Sequence, residues 1–224
     1  DGSYAEYTLL PNKHIYTVHT DLNWDDLTAV PETCGTAYGS LKKLKLASGN
    51  RLLIRGATSG VGVAAARLAR AMVPEIEITG STRHMEKAEE LKENGFDAVI
   101  RDEDNKLQTD GSQFDRGLEL VGATTLKNSM MVTKTDGIVC MTGELGGVWT
   151  LKDFEPISEL QGAYLTSFES GALNQATFDE LFDLIDKKHV DVTPRKVFDL
   201  QHTADAQAFM DGHHSFGKVI VRVD

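Results

Sequence analysis

Two hydrophobic rhythms take turns along the middle of this 224-residue chain. Short runs that are apolar throughout, such as Leu52-Leu53-Ile54, read as strands buried on both faces, and stretches with apolar residues at helical spacing follow them. Residues 52–56 make the first strand, and the alanine-rich residues 61–72 make the first long helix. Further strands are expected over residues 75–80, 97–101, 115–121, 137–143 and 162–168. A charged helix over 85–94 is stopped by Gly95, and another covers 123–134. This alternation predicts an α/β fold with a doubly wound parallel sheet and right-handed crossovers. A ligand of such a sheet sits at the carboxyl ends of the strands, where the strand order reverses.

The pattern changes at both ends. Residues 1–30 carry short strand-like pieces and a Pro11-Asn12 turn. The tail offers a helix over 177–188, a strand near 196–200, a helix from Thr203 and a last strand over 218–223. The two flanks are expected to belong together, with the α/β block inserted between them. The first residues look like the middle of a domain, which suggests that an N-terminal part is missing.

The segment Arg51-Leu-Leu-Ile-Arg-Gly56-Ala-Thr-Ser-Gly60-Val-Gly62 runs from a strand through three glycines into a helix. There glycine permits a tight turn, lets the backbone approach a pyrophosphate and lets the helix pack closely, so that the free N–H groups at the helix start face the anion. A mononucleotide, S-adenosylmethionine or a purely structural turn fits the same loop. After the second strand, a cofactor with a free ribose 2′-OH is normally held by Asp or Glu. This chain has Ser81, Thr82 and Arg83 there, with Lys87 one turn on. Hydroxyls and a guanidinium suit a 2′-phosphate, so the indicated cofactor is NADPH. The competing reading is that Arg83 and Lys87 are solvated residues at a helix start, Lys87 pairing with a neighbouring Glu.

These residues resemble the medium-chain dehydrogenase/reductase superfamily, in its NADPH:quinone oxidoreductase-like branch, often labelled zinc-type alcohol dehydrogenase-like. The resemblance also draws on Gly2-Ser-Tyr-Ala-Glu-Tyr7, Val30-Pro-Glu-Thr-Cys-Gly-Thr-Ala-Tyr-Gly-Ser-Leu41, Glu119-Leu-Val-Gly122, Gly137-Ile-Val-Cys-Met-Thr-Gly143 and Gly217-Lys-Val219. It implies a GroES-like substrate domain wrapped around a Rossmann domain. Residues 1–34 would be the end of the substrate domain, 35–168 the NADP-binding domain, and 169–224 a return segment; most of the substrate domain would precede Asp1. It also implies that Thr36 lies beside the nicotinamide, that Thr58, Ser59, Gly60, Val61 and Gly62 hold the pyrophosphate, and that Val121, Gly122, Thr142, Gly143 and Glu144 line the cofactor. Leu165, Thr166 and Ser167 would offer backbone groups to the carboxamide. The implied reaction is hydride transfer from NADPH to a small-molecule quinone, enone or aldehyde. A homodimer through the edge strand 162–168 is expected. A zinc-dependent alcohol dehydrogenase and a non-catalytic NADPH-binding module remain alternatives.

Zinc enzymes of the superfamily carry a ligand cysteine four residues before the threonine that matches Thr36, and here that position is Glu32. No catalytic zinc is expected. Glu32 is read as a carboxylate at a helix start, and Cys34 as a packed thiol. Tyr38-Gly-Ser-Leu-Lys42 has the Tyr-x-x-x-Lys spacing of short-chain dehydrogenases, but it precedes the glycine loop instead of following it. His213-His214 reads as a solvated helix end, and the other histidines stand alone.

Composition narrows the partners further. The chain is 41% hydrophobic and 25% charged, with a net charge of -11, which opposes loose binding to nucleic acid or anionic membrane. The two cysteines are far apart and form neither a zinc cluster nor a disulfide framework, so a cytoplasmic setting is expected. No apolar run of about 18 residues is present to span a bilayer.

Overall fold

The computed structural model describes residues 3–111, 113–212 and 216–223. A seven-stranded sheet is built from β1 (Arg51–Arg55), β2 (Glu77–Thr82), β3 (Ala98–Glu103), β4 (Lys106–Leu107), β5 (Phe114–Glu119), β6 (Thr133–Met141) and β7 (Tyr164–Ser167) in the order β4-β3-β2-β1-β5-β6-β7. Every pairing is parallel except the short β3–β4 hairpin. With that hairpin set aside, the order is the doubly wound one, and it reverses between β1 and β5. The expected fold class is the observed one.

Helices α1 (Trp24–Ala29), α2 (Gly35–Leu44), α3 (Gly60–Met72), α4 (Ala88–Glu93), α5 (Ala123–Met131), α6 (Pro156–Leu160), α7 (Gln175–Lys188) and α8 (Thr203–Asp211) complete the core and flanks. Alanines of α3 let it lie close on the sheet: Val63, Ala65, Ala66, Leu68 and Ala69 share one cluster with Leu52, Ile54 and Ile78. The buried faces of α2 and α7 join the same cluster through Leu41, Leu44, Phe178, Leu181 and Phe182. None of the described helices is long and apolar enough to cross a membrane.

Several boundaries differ from the sequence reading. The described part of residues 1–30 contains no strand. Tyr7 and Leu9 are 89% and 96% exposed, so their alternation meets no partner strand, and Asn23 instead caps α1 by accepting from Asp26 N at 3.0 Å. Helix α1 runs on through one π-helical turn, Val30–Cys34, into α2, where Pro31 supplies no N–H to an α-helical ladder. Strand β2 extends to Thr82 because its pairing with β3 continues to Thr82↔Arg101. Strand β6 begins at Thr133, which pairs with Phe114, and so α5 ends at Met131. The β3–β4 hairpin turns on Asp104 and Asn105, both at positive φ (49° and 61°), the backbone that Asp and Asn tolerate in a two-residue turn.

The flanks meet each other. The tail forms a small parallel unit, β8 (Lys196–Asp199), α8 and β9 (Val219–Arg222). Arg222 Nε pairs with Asp25 Oδ1 at 3.1 Å, and Lys218 Nζ with Glu32 Oε2 at 3.1 Å. Further in, Tyr16 Oη donates to Leu173 O, and Gln175 exchanges two hydrogen bonds with the Thr17 backbone.

At the sheet's centre lies a polar knot. Arg55, the last residue of β1, has no exposed surface, and its Nε and Nη2 reach the two oxygens of Asp102 at 2.7 Å each. Its Nη1 donates to Thr125 O, Asn128 Oδ1 and Ser129 Oγ on α5. Ser129 in turn donates to Glu119, which also accepts from Val121 N at 2.8 Å, Gly122 N at 3.1 Å and Thr125 Oγ1 at 3.0 Å. Burial pushes the Glu119 carboxyl above the ordinary carboxylate range, against the opposing pull of Arg55 and these donors. Removing one member of such a network leaves the other charges buried and unpaired. Arg55→Met is therefore expected to lower stability by about 3–5 kcal/mol in urea unfolding, whereas breaking the exposed Lys187–Asp183 pair should cost under about 0.5 kcal/mol.

Candidate nucleotide-binding site

Because β1, β2, β5, β6 and β7 are parallel, the loops that follow them open at one edge of the sheet. The first of these is shaped by glycine. Gly56 turns the chain at φ +80°. Ser59 then caps α3, its Oγ accepting from Gly62 N at 3.0 Å and donating to Gly56 O at 2.8 Å. A methyl group on Gly62 would stand 2.6 Å from Ala57 O, so only glycine allows the first turn of α3 this close to the strand end. Helix geometry leaves the N–H groups of Gly60 and Val61 without an intrahelical acceptor.

These groups border a cavity of about 1710 Å³. Ser59, Gly60 and Val61 form one wall, Leu120, Gly143 and Glu144 a second, and residues of the flanks, Trp24 and Lys218 among them, the third. The tail touches the glycine loop directly: Gly217 N donates to Thr58 O at 3.2 Å, and Lys218 follows it into the cavity wall.

The expected site residues fall into four groups. Ser59, Gly60, Val61 and Gly143 border the cavity; Thr58 holds the tail; Gly62 sets the helix approach; Val121 and Gly122 form the loop that Glu119 fixes through their N–H groups. Thr36 and Thr142 converge through Ser40, a residue the sequence reading did not single out: Ser40 Oγ lies 2.9 Å from Thr142 Oγ1 and donates to Thr36 O at 2.7 Å. Thr36 Oγ1 is itself buried and lacks a hydrogen-bond partner. Leu165, Thr166 and Ser167 lie in the edge strand β7, and the next residue, Phe168, seats its ring on Gly39 of α2, where a methyl group would come within 2.1 Å of the ring.

The end of β2 differs most from expectation. Ser81 and Thr82 are buried strand residues, not loop residues, because β2 is longer than the apolar run suggests. Ser81 Oγ accepts from Gly56 N at 3.4 Å, and Thr82 Oγ1 from His84 N at 3.0 Å. Arg83 is the exposed residue after the strand, and Lys87 ends the short turn Met85–Lys87. Neither borders the cavity.

Glu32 sits in the π-helical turn inside a continuous helical run, so it is not at a helix start; it pairs with Lys218 and accepts from Thr33 Oγ1 at 2.9 Å. Cys34 is buried, and desolvation pushes its thiol up to about 12. Among the described residues no three His, Cys, Asp or Glu side chains come together as metal ligands. Tyr38 Oη donates to Glu180 Oε2 at 3.1 Å on α7, and Lys42 Nζ reaches the same oxygen at 2.5 Å. Burial and that carboxylate raise the Tyr38 hydroxyl to about 12. His213 and His214 lie outside the described residues.

This doubly wound sheet, with its glycine loop at the point where the strand order reverses, defines a nucleotide-binding domain of the Rossmann kind. A family model described as "Zinc-binding dehydrogenase" matches residues 94–221, and the chain belongs to that family, within the medium-chain dehydrogenase/reductase superfamily. The zinc-type alcohol dehydrogenase-like protein C1773.06c of Schizosaccharomyces pombe is 23% identical over 100% of this chain and 67% of its own length. The 2-methylene-furan-3-one reductase of Solanum lycopersicum is 26% identical over 98% of this chain and 52% of its own length. A mycobacterial protein solved in complex with NADPH superposes with a TM-score of 0.76 at 19% identity, covering 91% of this chain and 66% of that one. The chain thus spans about half to two thirds of the length of these three proteins.

Both cysteines, Cys34 and Cys140, are buried, and burial raises both thiols above their ordinary range. The native protein at pH 8 is expected to resist an aromatic disulfide reagent on the time scale that modifies both thiols in urea. For Cys34, whose folded pKa is the raised one, the associated stability is complete below the ordinary thiol pKa of about 9. It is lost as pH climbs through about 12, which alkaline unfolding would register.

Proposed function

We propose that this chain is the cofactor-holding part of an oxidoreductase that moves hydride from NADPH to a quinone or an activated enone or aldehyde. The observation that carries the reading is the cradle itself: Gly56, Gly60 and Gly62 shape a backbone approach that a Cβ at position 62 would fill, beside a cavity with room for a dinucleotide. Relatives named as quinone oxidoreductase and as NADPH-dependent alkenal/one oxidoreductase support the reaction class, while others are named as NAD-dependent alcohol dehydrogenases, which makes cofactor choice the point to test.

In this reading the N–H groups of Gly60 and Val61 hold the pyrophosphate, with Thr58, Ser59 and Gly62 fixing their direction. Lys218, tethered by Gly217 against Thr58 and lying in the cavity wall, supplies local positive charge in a chain whose net charge is -11. Arg83 reaches the 2′-phosphate from the end of β2, with Lys87 beside it; Ser81 and Thr82 shape the strand end. On the other half, Val121, Gly122, Thr142 and Gly143 line the nicotinamide ribose. Thr36 offers its unpartnered hydroxyl beside the ring, and Leu165, Thr166 and Ser167 carry the backbone groups for the carboxamide. The bound dihydronicotinamide supplies the hydride; the protein orients it and excludes water. Residues 1–34 and 169–224 act as the adjoining parts of a substrate domain. The edge strand β7, with Tyr164 61% and Leu165 39% exposed, pairs with a second copy in a homodimer.

Fluorescence titration tests the cofactor roles. Arg83→Ala is expected to weaken NADPH binding by about tenfold or more while leaving NADH within about twofold. Lys218→Gln should weaken both by a similar factor, on the order of fivefold, since a pyrophosphate is common to both. Equal losses for both cofactors in Arg83→Ala would remove the 2′-phosphate role. The dimer is tested separately by light scattering, where the mass of one chain at micromolar concentration contradicts it.

A further inference from the structure

The loop after β6 carries an acid whose charge the fold leaves unanswered. Glu144 follows Gly143, and its side chain folds back across the loop after β5, so that a methyl group on Gly122 would stand 2.7 Å from Glu144 Oε2. Gly122 is also at φ +109°, which closes that position to side chains on a second count. Oε2 is buried and has no hydrogen-bond partner, in contrast to Glu119 one strand away, whose two oxygens accept four donors between them. Among the described residues, the two cations bordering the same cavity, Lys218 and Arg222, pair with Glu32 and Asp25 and not with Glu144. Oε2 packs against the Gly122 loop while the residue itself borders the cavity, so the carboxylate acts at close range on whatever the cavity holds, with no donor of the described residues to offset it.

Position decides which part of a dinucleotide does this. Glu144 faces the cavity from the β5–β6–β7 half of the sheet, across the strand-order reversal from β2. A doubly wound sheet divides its ligand in the same way, with the adenosine on the β1–β2–β3 side and the other mononucleotide on the far side of the pyrophosphate. The carboxylate repels a pyrophosphate. A nicotinamide ring is neutral when reduced and cationic when oxidised, so the same carboxylate favours one redox state.

Resting on the cofactor reading above, we infer that Glu144 is a specificity-determining residue that discriminates between the redox states of the bound nicotinamide, its carboxylate holding the cationic oxidised form in preference to the neutral reduced form. The same charge stabilises the positive charge that grows on the ring as hydride leaves. Equilibrium titrations of the chain, Glu144→Gln and Glu144→Ala with NADP+ and with NADPH read the effect without turnover. Both variants are expected to weaken NADP+ binding roughly ten- to hundredfold and to leave NADPH within about twofold, with unfolding midpoints no lower than that of the parent chain. Equal weakening of both forms assigns Glu144 to a ribose hydroxyl and overturns the inference, as does no change in either. A wild-type chain that binds neither form overturns the cofactor reading itself, a result the same titrations separate from the other two.

Discussion

A single buried guanidinium holds the centre of this molecule together. Arg55 ends the central strand, and from there it binds Asp102 of β3 with two nitrogens and three acceptors of α5 with a third. Through Ser129 it is joined to Glu119, and through Asn128, whose Oδ1 also accepts from Leu107 N, to the β4 hairpin. Ion pairs of this kind add little net stability over an apolar core, but they penalise every arrangement in which a partner is missing. Here the arrangement they enforce is the junction of β1 and β5, where the strand order reverses and the cavity opens.

That constraint reaches the site by short steps. Arg55 is followed at once by Gly56, so the residue that anchors the strand also fixes where the glycine turn begins. Glu119 takes the N–H groups of Val121 and Gly122, so the second loop is held by the same network as the first. Gly122 in turn leaves the space over which Glu144 lies. The third anchor is the tail, where Gly217 binds Thr58 and sets Lys218 in the cavity wall. Loops that carry function are thus built on rigid points, as positioning of a reactive ring requires.

The sheet was legible in the sequence because its inner strands are buried on both faces and read as unbroken apolar runs, Leu52-Leu53-Ile54 most clearly. Strand ends were not, because they are set by neighbours: Ser81 and Thr82 belong to β2 only because Ile100 and Arg101 of β3 pair with them. The role of Arg55 was not legible there, since Asp102, which it binds, lies 47 positions away. Ser40 was missed for the same reason, its partner Thr142 being 102 residues distant. In residues 3–30 the alternation was real as a pattern but met no partner strand among the described residues, and a local cap at Asn23 decided the structure instead.

In the proposed reading, one edge of the sheet, from the glycine loop to the loop after β6, holds a nicotinamide dinucleotide. Amide hydrogen exchange with and without saturating NADPH tests it most directly. Slowed exchange is predicted in residues 56–62, 83–87, 120–122 and 142–147 together, with the exposed face of α7 unchanged. Exchange rates unaltered across all four loops, or protection confined to residues far from that edge, would contradict it.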